Sequence, residues 1–233
     1  MQAMIPTPSP GKWVFVLDTL VVFANGLIAD SEAIKARLKA IEPFTVIGAD
    51  GGSLLAESLG YVPALIIGDL DSLPDHQRKR FPPDEVQFIT APAEKDETDL
   101  ELALLHAVSL KPDRIVLLGL LGGRLDMSLA NLLLLGHESL AGVLVEVWED
   151  WQTAHPIRPP GAMITGKAGD TLSLIPIGGP AGGISTWGLR YALADEPLST
   201  GPARGLSNVL TGPEVHIALR GGILLAVHTP GRA

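Results

Sequence analysis

The 233-residue chain contains no cysteine, which removes disulfides, thiolate chemistry and cysteine-ligated metals, and carries no sign of an oxidising compartment. Cytoplasm is the expected location. Aromatic residues make up only 5% of the chain, and 17 Lys plus Arg face 26 Asp plus Glu for a net charge of -9. No basic run is present, which argues against a nucleic-acid partner and for a small-molecule role. Long apolar runs are also missing. The one near the start, Trp13 to Ala24, is broken by Asp18, so neither a membrane span nor a signal peptide is expected. Among the six histidines, at 76, 106, 137, 155, 216 and 228, there is no HExxH and no paired ligand spacing, so they are read as surface or core residues.

What the chain does have is a 46% hydrophobic content, enough for a real core in one large or two small domains. Up to about residue 150, strand-like runs (Leu20 to Phe23, Phe44 to Ile47, Ala64 to Ile67, Val86 to Ile89, Arg114 to Leu118, Val143 to Val147) alternate with helix-like segments near 31-40, 52-59, 98-109 and 125-136. That alternation predicts βαβ units and a mainly parallel sheet. From residue 151 to 233 the texture changes to short runs, Thr171 to Ile175, Glu214 to Leu219 and Ile223 to Val227, separated by clusters such as Pro159-Pro160-Gly161 and Ile177-Gly178-Gly179-Pro180. A smaller antiparallel β domain is expected there. Residues 1-11, with three prolines, read as a loose leader or an edge extension.

Two familiar motifs fail on context. Gly161 to Ala168 nearly spells a phosphate-binding loop, but Ala168 stands where a metal-binding Ser/Thr belongs and a strand-like run follows where a helix should, so a β-turn is expected. Asp69-x-Asp71 begins like a calcium loop, yet Leu73 and Pro74 occupy the places of the third ligand and the glycine.

Four acidic stretches survive. Gly48-Ala49-Asp50-Gly51-Gly52 and Gly68-Asp69-Leu70-Asp71-Ser72 come straight after strand-like runs and belong at carboxyl ends of strands, where open α/β sheets bind ligands. Carboxylates gathered there repel one another by roughly 4 kcal/mol per pair at 4 Å and an effective dielectric of 20, so a cation or raised pKa values must resolve the site. On an extended segment the i, i+2 spacing of Asp69 and Asp71 points both to one side, which suits one or two hard cations; the plain alternative is a solvated turn.

Asp96 and Asp99 open a helix whose Leu100, Ala103, Leu104 and Ala107 form an apolar stripe, with Thr98 and Glu101 fitting a capping box. Both aspartates are candidate metal ligands. Asp96 also fits an N-cap, and a first-turn Asp99 is favoured by the helix dipole whatever its function. Lys95 beside them could reach a phosphate or remain a surface lysine. In Gly119 to Asp126, Gly122 and Gly123 let backbone N–H groups approach phosphate at a helix start and Arg124 supplies a fork for it. Asp126 would orient that arginine, hold a metal-bound water or cap the helix, and Asn131 is a buried polar group or a supporting contact. Asp50, with Gly51 and Gly52, repeats the same logic.

The ordered set GADGG, GDLDS, DETDLELAL, GGRLDMSLANLLL, SLIPIG, GLRYAL and GLSN resembles the thiamine pyrophosphokinases over nearly everything from Leu20 to the C-terminus. The resemblance implies an α/β fold: a Rossmann-like ATP-binding domain (1-150) followed by a thiamine-binding β-sandwich (151-233), in a homodimer with thiamine held between subunits. It also implies transfer of the β,γ-pyrophosphoryl unit of ATP to the thiamine hydroxyl, with AMP released. Carried over by position, it makes Asp69, Asp71 and Asp99 the Mg²⁺ ligands, with Asp50, Asp96 and Asp126 in the same pocket and Arg124 and its glycines facing the triphosphate. Asp71 or Asp96 would accept the hydroxyl proton. In the second domain Tyr191 stands where the family has an aromatic near thiamine, and Ser207 and Asn208 match its SN motif. By the residue alone, an ordinary core aromatic of a β domain is the preferred reading of Tyr191. Met127 departs from the family's usual His or Gln. A diphosphokinase for a hydroxymethylpterin, a phosphohydrolase using Asp69 and Asp71, and a non-catalytic nucleotide or thiamine sensor are the alternatives; the dehalogenase-like hydrolase motif has Thr or Val where this chain has Leu73.

Overall fold

In the computed structural model, which describes residues 18–231, the apolar runs of the first half become parallel strands. They are β1 (Thr19–Phe23), β2 (Thr45–Ala49), β3 (Leu65–Gly68), β4 (Gln87–Thr90) and β5 (Arg114–Leu118), arranged β4-β3-β2-β1-β5. The register pairs Val21 with Val46 and Val116, Gly48 with Ile66, and Ile66 with Phe88. Every residue of β2 and β3 is buried. That is why these strands read as continuous apolar runs rather than alternating ones. The expected leader lies outside the described residues.

Helices α1 (Ser31–Lys39), α2 (Gly52–Ser58), α4 (Asp99–Ser109) and α5 (Leu125–Leu134) fall where the sequence periodicity places them, and a one-turn helix α3 (Asp75–Arg78) is added. Asp30 caps α1 by accepting the Ala33 N–H at 3.0 Å, and Thr98 caps α4 by accepting the Glu101 N–H at 3.1 Å. The α4 stripe Leu100, Ala103, Leu104 and Ala107 is buried throughout. Among the described residues no helix is long and apolar enough to cross a membrane.

The chain divides into two compact units. One holds the residues up to Asn131 together with Gly142–Val145, the other Leu132–Ala141 and the chain from Glu146 onward. The second unit is antiparallel. β6 (Leu144–Glu149) pairs with β7 (Gln152–Ile157), β7 with β13 (Gly221–Thr229), and β13 with β9 (Thr171–Trp187). In turn β9 pairs with β12 (Glu214–Ala218), and β12 with β8 (Gly161–Thr165). Short strands β10 (Glu196–Leu198) and β11 (Asn208–Val209) both pair with β9. Ile157, Ile164, Leu172, Leu210, Ile217 and Leu224 belong to one buried cluster that draws on β7, β8, β9, β12 and β13.

One expectation is corrected here. Ile177-Gly178-Gly179-Pro180 does not separate two strands; it lies inside the 17-residue β9. Gly178 adopts φ +71 and the register against β13 shifts between Ile223 and Gly221, so the strand bends and its far end pairs with β12. Only residues without a Cβ take that backbone turn without strain, which is why the cluster looks like a loop in sequence. The segment Gly161 to Ala168 forms β8 and then a turn with no helix after it, so it is no phosphate loop.

Asp170 closes that turn. Its side chain, 8% exposed, accepts the Lys167 and Gly231 N–H groups and meets His228 Nε2, each at 2.8 Å. Burial works to raise its pKa, but the Gly231 N–H, His228 and the Lys167 N–H together hold it below the usual carboxylate value. A carboxyl depressed in the folded state contributes stability that is present above its unfolded pKa and lost as pH falls through the folded one. Asp170→Ala is expected to cost about 3 kcal/mol at neutral pH, the loss of a charge-assisted bond plus stranded donors, with the deficit shrinking in acid. Urea unfolding of both proteins across pH measures it, and equal stabilities at neutral pH would reject the role.

Candidate active site

Strand order reverses between β1 and β5. From β1 the chain moves to β2, β3 and β4 on one side, and β5 then returns to the other. Such a switch point opens a crevice at the carboxyl edge of the sheet. A cavity of about 460 Å³ lies there, lined by the loop after β1 (Ala24, Asn25, Gly26), by Asp50, Asp69 and Asp71, by Asp99, and by Gly122, Gly123 and Arg124 after β5.

Three carboxylates converge in it. One oxygen each from Asp50, Asp69 and Asp99 lie within 4.8 Å of one another. Asp50 follows β2 with φ +44, is 3% exposed, and accepts the Ser72 N–H at 3.1 Å through Oδ2. Its Oδ1 is buried with no hydrogen-bond partner. Burial raises the Asp50 pKa, and the charge of Asp99 adds to the rise. Asp69 is held below the usual range, first by the backbone N–H of Asp71 and then by Lys95. Asp99 Oδ1 is also shut from solvent; Lys95 Nζ lies 3.0 Å from it but outside hydrogen-bonding geometry. Closely spaced oxygen ligands with unpartnered buried lone pairs suit a hard divalent cation.

The approach of these groups depends on Gly68. A Cβ there would stand 2.9 Å from the Asp50 Cβ and 3.1 Å from the Asp99 Cγ. No side chain fits between the two acids.

Asp71 lines the cavity but stands outside the triad. The expected extended segment is not formed: Leu70 has φ +65, and Asp69 Oδ1 accepts the Asp71 N–H at 3.0 Å, so a tight Asx turn replaces i, i+2 alternation. Asp71 then accepts from the Ser72 hydroxyl at 3.0 Å. The turn is clamped from behind by Arg78, whose guanidinium donates to the Leu70 and Leu73 carbonyls at 2.7 Å each. Asp96 is exposed and does not line the cavity.

Across the cavity Arg124 forms a fork with Asp126, at 3.1 Å through Nε and 2.6 Å through Nη2, and Asp126 also accepts the Met127 N–H at 2.9 Å. Asp126, in the first turn of α5, thus orients the arginine, and unlike Arg124 it does not itself line the cavity. A Cβ on Gly123 would meet nothing within 4 Å, so that backbone faces open space. Asn131 is buried, donates to the Leu120 carbonyl at 2.9 Å and lines the cavity beside Met127. Gly51 stands against Asn25: a Cβ would fall 2.6 Å from its amide. Asn25 itself was not anticipated. Its signal is an Asn-Gly pair one residue beyond β1, at the same edge as the acidic motifs.

In the second unit Tyr191 is 65% exposed, so it is not a core aromatic. Asn208 holds its backbone from both sides, accepting the Tyr191 N–H at 3.0 Å and donating to its carbonyl at 2.7 Å. Ser207 adopts φ +55, and its N–H donates to the Ser173 hydroxyl at 3.1 Å. Ser207 and Asn208 therefore shape the loop that presents Tyr191.

Comparison with known proteins matches residues 41–143 to "Thiamin pyrophosphokinase, catalytic domain" and residues 155–224 to "Thiamin pyrophosphokinase, vitamin B1 binding domain". The chain belongs to the thiamine pyrophosphokinase family. It is 29% identical over 185 residues to the thiamine pyrophosphokinase of Bacillus subtilis, covering 78% of this chain and 86% of that one. The crystal structure of a thiamine pyrophosphokinase from Bacillus subtilis superposes with a TM-score of 0.78 at 26% identity, over 91% of this chain and 99% of that one. The enzyme from Candida albicans shares the fold at 15% identity, with a TM-score of 0.72 over 98% and 97%.

The packing at Gly68 gives a direct test within this family's chemistry. Gly68→Ala is expected to push Asp50 and Asp99 apart and lower turnover at least about 100-fold, comparable to losing one strong transition-state contact. The overpacking itself should cost about 1–3 kcal/mol in urea unfolding. Turnover near that of the parent protein would show that the acids need not approach so closely.

Proposed function

We propose that this protein transfers the β,γ-pyrophosphoryl unit of ATP to the hydroxyl of thiamine, giving thiamine diphosphate and AMP, as a Mg²⁺-dependent cytoplasmic homodimer. The carrying observation is the triad of Asp50, Asp69 and Asp99, with the buried Asp50 Oδ1 unpartnered, in one cavity with Arg124 and an open glycine backbone.

Mg²⁺ would be held by Asp50, Asp69 and Asp99, and supplies positive charge beside the transferring phosphate oxygens. Arg124, already aimed by Asp126, grips the triphosphate, and the Gly122 and Gly123 backbone closes on its oxygens. The thiamine hydroxyl oxygen attacks the β-phosphorus in line. A new O–P bond forms, the bond from β-phosphorus to the α,β-bridging oxygen breaks, and its electron pair leaves with AMP. Between the two candidate bases Asp71 is preferred to Asp96, because Asp71 lines the cavity and Asp96 does not. Asp71 takes the hydroxyl proton.

Thiamine carries a cationic thiazolium, which favours an aromatic face. Tyr191, exposed and fixed at its backbone by Asn208, offers one, in a cleft completed by a second copy of the chain.

Incubation of the purified protein with Mg-ATP and thiamine is expected to yield AMP and thiamine diphosphate by mass, and no diphosphorylated product when a hydroxymethylpterin replaces thiamine or when the divalent cation is removed. ADP with a monophosphorylated acceptor, or phosphate release without an acceptor, would overturn the assignment. Tyr191→Ala is expected to weaken thiamine binding roughly 5-fold to 30-fold while ATP affinity stays nearly constant. Calorimetric titration checks it; equal losses for both ligands would remove Tyr191 from the acceptor site.

A further inference from the structure

Among the described residues, Lys95 forms ion pairs with two members of the triad. Its side chain is 11% exposed, with Nζ 3.0 Å from Asp99 Oδ1 and 3.5 Å from Asp69 Oδ2. Asp69 and Asp99 line the cavity and Lys95 does not, so the ammonium meets both carboxylates from outside it. Asp50 receives no such partner and keeps Oδ1 unpaired. Three carboxylates alone would present three negative charges to an incoming cation. With Lys95 seated, two remain, which a single divalent ion neutralises.

We propose that Lys95 is a built-in counter-charge that weakens the triad's hold on a free divalent cation, so that the metal enters and leaves with the nucleotide rather than residing in the site. The inference rests on the metal reading of the triad given above. The ammonium acts through the carboxylates it touches, which makes Lys95 a positioning residue and not a group that contacts the reacting atoms. Its charge holds the acids together in the metal-free protein and opposes a second cation a few ångströms away. Once bound, the triphosphate brings its own negative charge to the same ion and outweighs that opposition.

A merely structural lysine and a competing one predict opposite results. If Lys95 only props the carboxylates in place, its removal loosens the site and weakens metal binding. If it competes, its removal strengthens binding. The experiment titrates Mn²⁺ into nucleotide-free protein, with free Mn²⁺ counted by electron paramagnetic resonance, for the parent, Lys95→Met, Lys95→Gln and Lys95→Arg. Both neutral variants are expected to bind Mn²⁺ at least about tenfold more tightly than the parent, from loss of a like charge close to a dication. Lys95→Arg, which keeps the charge, is expected to stay within about threefold of the parent. Circular dichroism confirms the fold of each variant; two neutral replacements guard against one that does not fold. Unchanged or weaker binding in the neutral variants overturns the proposal while leaving the metal site standing. Absence of saturable Mn²⁺ binding in parent and variants alike overturns the metal reading, and this inference with it.

Discussion

Like-charge repulsion at the end of a parallel sheet is the constraint around which the first unit is built. Asp50 and Asp69 follow β2 and β3, Asp99 opens α4, and the three come within 4.8 Å of one another. In a partly desolvated setting, carboxylates at that spacing oppose the fold by an amount comparable to a fair share of its net stability. The structure offsets this with local donors: the Ser72 N–H to Asp50, the Asp71 N–H to Asp69, and the Lys95 ammonium beside Asp69 and Asp99. What it leaves unsatisfied, chiefly Asp50 Oδ1, is the capacity it keeps for a ligand.

The rest of the site is arranged to hold this unfavourable cluster still. Gly68 removes the one Cβ that would stand between two of the acids. Arg78 spends its guanidinium on the Leu70 and Leu73 carbonyls and so fixes the turn that carries Asp69 and Asp71. Asn131 ties α5 to the Leu120 carbonyl on the opposite wall. The Arg78 and Asn131 contacts are both to backbone carbonyls, so they fix the course of the loops themselves.

In the second unit the same economy appears in apolar form. One long strand, irregular near Gly178, pairs with β13 along one part and with β12 along the other, and residues of β7, β8, β9, β12 and β13 meet in one buried cluster. The loops at its edge are then free to present side chains outward. Asn208 uses its amide twice on the backbone of Tyr191, which leaves the phenol ring in solvent, where an unassisted aromatic would be expected to fold inward.

The strands, helices and family of this chain were legible from residue order because each depends on short-range pattern. Fully buried parallel strands must be apolar throughout, helix α4 needs its stripe and its Thr98 cap, and the acidic motifs must follow strands to reach the ligand edge. Tertiary structure decided which acids meet. Asp50 joins the triad and Asp71 stands beside it, because a left-handed Leu70 and an Asx turn override the two-residue alternation that sequence spacing suggests. Asp96, two residues from the well-placed pair Thr98 and Asp99, faces solvent, since the first turn of α4 carries Asp99 toward the sheet and leaves the preceding loop outside. The exposure of Tyr191, the bend inside β9 and the part played by Asn25 were likewise settled by contacts between residues far apart in sequence, and local pattern holds no record of distances of that kind.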